Sequence, residues 1–163
     1  MDTVYIETSV VSHASAWPSQ DIQMAALQHQ ARMWWSIERR KFNLVTSQLT
    51  IMEASAGDPA AAADRLKLLD GIPTVPISSK VENLAKLIVA NHLMPQKAGA
   101  DAFHVAAVAI AGVDYLLTQN CKHIANAHEL PRLYRLLDEQ GYGRLLICTP
   151  AEFLTGDGDD ENK

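Results

Sequence analysis

The sequence is short of several features that would place it in a special class. Its two cysteines, Cys121 and Cys148, are too few for a disulfide framework. No apolar run approaches the roughly 20 residues of a membrane helix, and the longest is bounded by His104 and Asp114. The first three residues lack the basic and apolar regions of a signal peptide. These absences favour a globular protein of the reducing cytoplasm.

An excess of basic residues is also missing, because the formal net charge is −5. This charge argues mildly against a nucleic-acid partner. The last eight residues, 156–163, hold four acids and one lysine, so −3 of the charge lies there and only −2 in the rest. We predict one domain over residues 1–155, long enough to bury a core, and an acidic disordered tail over 156–163. Charge therefore does not exclude an RNA partner.

Short apolar runs alternate with amphipathic stretches along the chain. The predicted strands are Val4–Ile6, Phe42–Thr46, Thr74–Ile77, Tyr115–Thr118 and Leu145–Cys148. Since Pro76 cannot donate to a ladder, its strand is expected at a sheet edge. Helical patterns separate the strands, and the longest runs from about Ile22 to Arg40. Alternating strands and helices predict an α/β fold, a three-layer α/β/α sandwich around a mainly parallel sheet.

The stretch 97–126 combines the features from which a site can be built. Asp101 stands at the start of an Ala/Val-rich helix, which Gly112 is expected to end. A buried strand at 115–118 follows, and Asn120 comes directly after it. Ligands of open α/β sheets bind at this carboxyl edge.

Four polar residues are predicted to converge at that edge. Glu7 follows the first strand, Glu53 lies in the helix after the second, and Asp101 and Asn120 complete the set. Three carboxylates and an amide oxygen suit Mg²⁺ or Mn²⁺, which would also relieve the mutual repulsion of the acids. The chemistry that follows is metal-assisted hydrolysis of a phosphodiester. Each acid has a simpler interpretation: Glu7 as a solvent contact at a strand end, Glu53 on a solvated helix face, and Asp101 as a helix N-cap.

Other polar residues are predicted to support this set. Thr8, Ser9 and Thr118 could orient the carboxylates, with Ser9 as the preferred member. His104 shares a helix face with Asp101, so it either touches a substrate phosphate or is a buried, hydrogen-bonded histidine. Lys97 flanks the predicted mouth and could bind phosphate, although an ordinary surface lysine needs no such role.

Several segments together resemble PIN-domain ribonucleases, close to the VapC-type toxins of bacterial toxin–antitoxin pairs. They are Val4-Tyr5-Ile6-Glu7-Thr8-Ser9, the helix around Glu53, Ala100-Asp101-Ala102-Phe103-His104-Val105-Ala106, and Tyr115-Leu116-Leu117-Thr118-Gln119-Asn120-Cys121-Lys122-His123. The resemblance implies a PIN-like fold, Mg²⁺- or Mn²⁺-dependent RNA cleavage, a homodimer and an antitoxin partner. It also implies a metal site of Glu7, Glu53 and Asp101, with Asn120 as the fourth catalytic member.

Three positions depart from the family pattern. Glu7 stands where the family usually has Asp, and Asn120 and His123 stand where many relatives carry acids. The reduced negative charge predicts at most one well-occupied ion in the free protein.

The leading prediction is thus a metal-dependent endoribonuclease acting as the toxin of a toxin–antitoxin pair. The alternative is a catalytically weak or inactive PIN-like module that binds RNA or a protein partner. A phosphoaspartyl phosphatase ranks last, because it needs two acids after the first strand and Glu7 is the only one there.

Overall fold

Four short parallel strands form the centre of the molecule. In the computed structural model, which describes residues 1–154, the strands are β1 (Thr3–Ile6), β2 (Asn43–Val45), β3 (Tyr115–Leu117) and β4 (Leu146–Cys148). Their order in the sheet is β2-β1-β3-β4, with every neighbouring pair parallel. The carboxyl ends of all four strands therefore lie at one edge. The acidic tail predicted for 156–163 falls outside the described residues.

Helices connect and cover these strands. They are α1 (Thr8–Ser15), α2 (Ile22–Ser36), α3 (Gln48–Ala54), α4 (Pro59–Leu69), α5 (Ser79–Ala90), α6 (Gly99–Ile110), α7 (Leu130–Glu139) and α8 (Pro150–Phe153), with 3₁₀ turns at Glu38–Lys41 and Gln96–Ala98. Local signals fix several of their ends: Ser47 caps α3 through the Thr50 N–H, and Gly112 ends α6 in a left-handed conformation with φ of 67°.

The sheet separates two apolar cores, one on each face. Because side chains alternate along a strand, Tyr5 of β1 faces one core while Val4 and Ile6 face the other. The Tyr5 core is covered by α5, α6 and α7, and the second core is covered mainly by α1, α2, α4 and α8. The predicted three-layer α/β/α sandwich with a parallel sheet is confirmed.

Two local predictions differ from the structure, and one helix was not predicted. The segment Thr74–Ile77 is not a strand: it makes one parallel bridge, between Thr74 and Thr46, before Pro76 interrupts the ladder. The predicted helix 22–40 ends at Ser36 and gives way to the 3₁₀ turn, in which Glu38 and Lys41 pair at a spacing of three residues. The helix α1 was not predicted, because it begins directly after β1 and its N-cap is Glu7, which is not one of the usual capping residues.

Within residues 1–154, none of the helices is long and apolar enough to cross a bilayer.

Candidate functional site

Glu7 is a buried carboxylate at the carboxyl end of β1, with only 4% of its surface exposed. Its backbone N–H continues the β1–β3 ladder by donating to the Leu117 carbonyl at 3.1 Å. This register places Thr118, the next residue of the neighbouring strand, beside the Glu7 side chain. The Thr118 hydroxyl donates to Glu7 Oε2 at 2.8 Å, and both the backbone N–H and the hydroxyl of Ser9 donate to the same oxygen. Glu7 is therefore not the solvent contact considered from the sequence.

Part of this arrangement serves the backbone. Glu7 is the N-cap of α1, because its carboxylate accepts from the Ser9 N–H at 3.0 Å. Ser, Thr, Asp and Asn are the usual side chains for that role, and glutamate is not among them. Capping alone thus does not account for a longer carboxylate held by two further hydroxyl donors.

Glu53 is held by donors from both sides. It lies in α3, with its side chain 34% exposed. Its Oε1 accepts from the Thr8 hydroxyl at 3.0 Å and lies 2.5 Å from His104 Nε2. Partial burial by itself would raise the pKa of Glu53. The hydrogen bond and charge interaction with His104 and the hydrogen bond from Thr8 together outweigh burial, so the pKa of Glu53 is lowered. Glu53 is therefore not a freely solvated helix acid.

His104 of α6 is fully buried, between Tyr5 of β1 and Glu53 of α3. Its Nε2 faces Glu53, and its Nδ1 lies 2.7 Å from the Tyr5 hydroxyl. Burial raises the pKa of Tyr5 to about 12, so Tyr5 stays a neutral phenol at physiological pH. His104 is the buried, hydrogen-bonded histidine of the two alternatives raised by the sequence, and it has no surface with which to touch a substrate phosphate.

Asp101 lies in the first turn of α6 and is joined to the end of β3 by a chain of contacts. Its Oδ2 is 3.0 Å from His123 Nδ1. The His123 backbone N–H donates to Asn120 Oδ1 at 3.1 Å, and the Asn120 N–H donates to the Thr118 hydroxyl at 3.0 Å. Thr118 is the residue that binds Glu7. The N-cap of α6 is Ala98, so Asp101 does not cap that helix.

Asn120 follows β3 at the carboxyl edge of the sheet, and its side chain is used in the adjoining turn. Its side-chain oxygen accepts the His123 N–H and so closes a turn after β3. Its backbone carbonyl accepts from Ile124 and Ala125. Asn120 therefore shapes the loop that carries His123 to Asp101.

The three acids share a pattern of hydrogen bonding. Each has one oxygen bound by protein donors: Oε2 of Glu7, Oε1 of Glu53 and Oδ2 of Asp101. The other oxygen of each makes no hydrogen bond to any residue in the range 1–154. In that same range no Lys or Arg forms an ion pair with any of the three. The acids are thus oriented without being neutralised by a permanent cation.

The acids do not form a complete metal centre by themselves. Among the residues that the structure describes, no group of three or more His, Cys, Asp and Glu side chains could hold a metal ion. Glu7, Glu53 and Asp101 are linked through Thr8, Thr118, Asn120 and His123 rather than by direct contact. Lys97 lies exposed in the 3₁₀ turn before α6 and, in the described chain, bonds to none of the acids.

Sequence reasoning missed Tyr5 and His13, whereas Thr8 was among the residues expected to orient the carboxylates. The Tyr5 hydroxyl contacts His104, a residue 99 positions away, and no local pattern signals that contact. His13 was not considered; its Nδ1 lies 2.6 Å from the side-chain oxygen of buried Gln119. The Gln119 side chain is fixed at its other end, because its amide nitrogen donates to the Leu27 carbonyl. The Gln119 backbone N–H donates to the Ser9 hydroxyl.

The arrangement can bind a hard cation with one or two carboxylates, provided that water or a substrate supplies the remaining oxygens. It offers no nucleophilic thiol, because burial and the charge of Glu152 raise the pKa of Cys121. No protein-family model matches the sequence, and no curated protein matches it either. The likeness to PIN-domain ribonucleases is therefore based on the motifs of this chain alone.

Proposed function

We propose that the protein is a Mg²⁺- or Mn²⁺-dependent endoribonuclease with a PIN-like site. The observation that carries this proposal is Glu7, a buried carboxylate that has no Lys or Arg partner within residues 1–154. Buried charges are normally paired or bound to a metal. Its oxygen Oε1 accepts no hydrogen bond from the described residues. Among these residues, Trp34 Nε1 is the only side-chain N or O atom that is both fully covered and without a partner, so Glu7 Oε1 is not fully covered. Glu7 Oε1 therefore remains open to solvent and to an ion.

The donor set fits a hard cation. Glu7, Glu53 and Asp101 would supply the protein ligands of Mg²⁺ or Mn²⁺, one or two of them at a time, through their unbonded oxygens, with Asn120 keeping the adjoining loop in place. Because Mg²⁺ commonly uses one or two carboxylates and completes its shell with water and substrate phosphate, the proposed ion binds together with RNA. When bound, the ion would activate water and stabilise the negative charge that develops on phosphorus.

The protein's own groups contribute orientation. Ser9 and Thr118 fix one oxygen of Glu7, and Thr8 and His104 fix one oxygen of Glu53. Each pinned carboxylate loses rotamer freedom before the ion arrives, which lowers the entropic penalty of binding. Lys97, exposed in the 3₁₀ turn before α6, would contact the RNA backbone rather than the acids.

Asp101→Asn tests the proposal because it removes charge at nearly constant shape. RNA cleavage in Mn²⁺ should be abolished while the melting temperature stays close to that of the wild type. Asp70→Asn, at an exposed position after α4 that makes no side-chain hydrogen bond within residues 1–154, is the matched control. Cleavage that persists undiminished in Asp101→Asn would refute the assignment.

A cognate antitoxin, a homodimer and a toxin role belong to the same proposal. They follow from the resemblance and not from any contact in the chain. A small basic DNA-binding protein encoded immediately upstream, which copurifies with this protein and inhibits it, would support them.

The second candidate is a catalytically weak or inactive PIN-like module that binds RNA or a protein partner. One observation favours it: no cluster of three metal-competent side chains exists among the described residues. It predicts RNA binding that EDTA does not change and no cleavage with or without Mn²⁺. Single-turnover cleavage assays with and without Mn²⁺ separate the two.

A further inference from the structure

Gln119 is a buried residue that joins α1 and α2 to the end of β3. It directly follows Thr118, which binds Glu7, and only 6% of its surface is exposed. Its backbone N–H donates to the Ser9 hydroxyl of α1 at 2.8 Å, and its amide nitrogen donates to the Leu27 carbonyl of α2 at 2.9 Å. Because the amide nitrogen is thereby identified as the donor, the side-chain oxygen of Gln119 can only accept.

His13 donates to that oxygen. The ring is half-buried, and its Nδ1 lies 2.6 Å from Gln119 Oε1. Since this oxygen only accepts, Nδ1 carries a proton whether the ring is neutral or charged. The other nitrogen, Nε2, makes no hydrogen bond within residues 1–154, and it is not fully covered, because Trp34 Nε1 is the only fully covered side-chain N or O atom without a partner in that range. The ring is therefore held at one nitrogen and open to solvent at the other.

The position of His13 in α1 brings it close to the acids. Ser9 and His13 are four residues apart, so they share one helix face with their Cβ atoms roughly 5–6 Å from each other. Both contact Gln119, so this face is turned toward the loop after β3. The Ser9 hydroxyl also donates to Glu7 Oε2. His13 thus lies one helical turn from the hydroxyl that holds Glu7.

His13 and Lys97 lie on opposite faces of the sheet. The helix α1 covers the face that bears Val4 and Ile6, whereas the 3₁₀ turn with Lys97 leads into α6 on the Tyr5 face. The carboxyl end of β1 lies between them. A single strand of RNA that crosses this edge from one helix layer to the other therefore passes both side chains. Contacts of this kind to the nucleic-acid backbone fix the register of a substrate without reading its sequence.

We propose that His13 is a substrate-contacting residue whose Nε2 forms a hydrogen bond with the sugar–phosphate backbone of the RNA, next to the phosphate that is cleaved. The inference takes its substrate class from the proposed function and rests on it. An unprotonated Nε2 accepts from a ribose 2′-hydroxyl, and a protonated one donates to a phosphate oxygen, so neither protonation state removes the contact. Because Gln119 already fixes the ring, little side-chain entropy is lost when the RNA binds.

His13 also has a structural interpretation, which predicts the opposite result from a pair of amide substitutions. It stands in the last turn of α1 and clamps Gln119, so it could serve stability alone. An asparagine side chain reaches only the Nδ1 position, where it can still donate to Gln119. A glutamine side chain reaches the Nε2 position with an amide that both donates and accepts. A structural role is thus preserved by His13→Asn, and a substrate contact by His13→Gln.

The first measurement is the dissociation constant of a short fluorescein-labelled single-stranded RNA of mixed sequence, determined by anisotropy in EDTA so that no cleavage occurs. We expect His13→Asn to raise this constant about 10-fold, the effect of one lost hydrogen bond to the backbone, and His13→Gln to stay within about 3-fold of the wild type. The matched controls are His29→Asn and His29→Gln, at an exposed position of α2, and neither should change the constant. Wild-type RNA affinity in a folded His13→Asn variant would overturn the inference.

Single-turnover cleavage in Mn²⁺ separates substrate binding from the chemical step. For His13→Asn we expect the half-saturating enzyme concentration to rise by the same factor while the rate constant at saturation is unchanged, because the contact is made equally in the bound and reacting states. The increase of the melting temperature in Mn²⁺ should equal that of the wild type. A His13→Asn variant that loses this increase would show that the residue acts on the metal site, and the inference would fail.

The same binding measurements on a 2′-deoxy strand of identical sequence identify the contacted group. An effect of His13→Asn that persists on the deoxy strand assigns the contact to a phosphate oxygen. An effect that disappears there assigns it to the 2′-hydroxyl, the group that distinguishes RNA from DNA.

Failure of this inference can be told from failure of the proposed function. A wild-type protein that binds RNA but never cleaves it would refute the nuclease and leave the anisotropy comparison to decide the role of His13, whereas a wild type that binds no RNA overturns both. If His13→Asn does not fold, titration of ¹⁵N-histidine-labelled wild type with the same RNA replaces it. The ring ¹⁵N signals of His13 should then shift while those of His29 stay, and unchanged His13 signals at saturating RNA would overturn the contact.

Discussion

Replacing Glu7 with glutamine should separate the stability of the protein from its affinity for a metal. In the wild type, three donors from Ser9 and Thr118 converge on Glu7 Oε2. Hydrogen bonds to a charged group contribute about 1 kcal/mol more than neutral ones, so neutralisation weakens the three by roughly 3 kcal/mol in total. The buried charge itself carries a desolvation penalty of a few kcal/mol, which the substitution removes. The two effects oppose each other, and without metal we expect the variant to lie within about 1 kcal/mol of the wild type.

Mn²⁺ should reveal the difference. An ion at 100 times its dissociation constant stabilises the folded state by about 2.7 kcal/mol. For a chain of this length, that stabilisation raises the melting temperature by roughly 5–10 °C. We expect this shift in the wild type and none in Glu7→Gln at the same Mn²⁺ concentration.

The measurement is thermal unfolding in EDTA and in a series of Mn²⁺ concentrations. Glu82→Gln carries the same substitution on the exposed surface of α5 and should respond like the wild type. If Mn²⁺ stabilises Glu7→Gln as much as the wild type, Glu7 is not a ligand. A Glu7→Gln variant that is several kcal/mol less stable in EDTA would instead show that the carboxylate is mainly the cap of α1.

Two further predictions concern groups outside the site. Asp114 accepts from the Thr3 N–H at 2.8 Å and pairs with Arg144, and these contacts lower its pKa; Asp114→Asn should therefore lower the free energy of unfolding by about 1 kcal/mol at pH 7. Because the pKa of Asp114 is lower in the folded protein, this contribution is present above the unfolded pKa of about 3.9 and is lost as the pH falls through the folded pKa. Urea unfolding should therefore show that wild type and variant differ in unfolding free energy at neutral pH and become equal at acid pH. A difference that persists at acid pH would contradict the linkage. Burial raises the pKa of Cys148 from 9.0 to about 11. At pH 8 its thiolate fraction, and therefore its rate of alkylation by iodoacetamide, should be about 100-fold below that of a thiol with the ordinary pKa. Mass spectrometry should find the exposed Cys121 modified first, and equal alkylation rates of Cys148 in folded and urea-unfolded protein would refute the effect of burial.

Much of the fold could be predicted because its signals are local. Short apolar runs marked all four strands, Ser47 marked the start of α3, and Gly112 marked the end of α6. The errors arose where a pattern was too short or where tertiary pairing decided. The segment after Gly71 has strand-like residues, but its extension along β2 stops after Thr74.

The site was predictable only in part, for a related reason. Parallel strands place their carboxyl ends at one edge, so the general positions of Glu7 and Asp101 follow from the topology. The partners of each carboxylate depend on side-chain directions across different layers, which a single sequence does not encode locally. The contact between Tyr5 and His104, which are 99 residues apart, is of this kind.

The strand order β2-β1-β3-β4 also governs when the protein becomes complete during synthesis. The central β1 is made first, but its neighbour β3 begins at Tyr115. A ribosome-bound chain that stops before that residue has Glu7 but lacks the hydroxyl of Thr118, and its sheet has no third strand. Pairing across such a separation is slow compared with local helix formation. Assembly of the acidic edge is therefore deferred until the chain has been translated beyond Thr118.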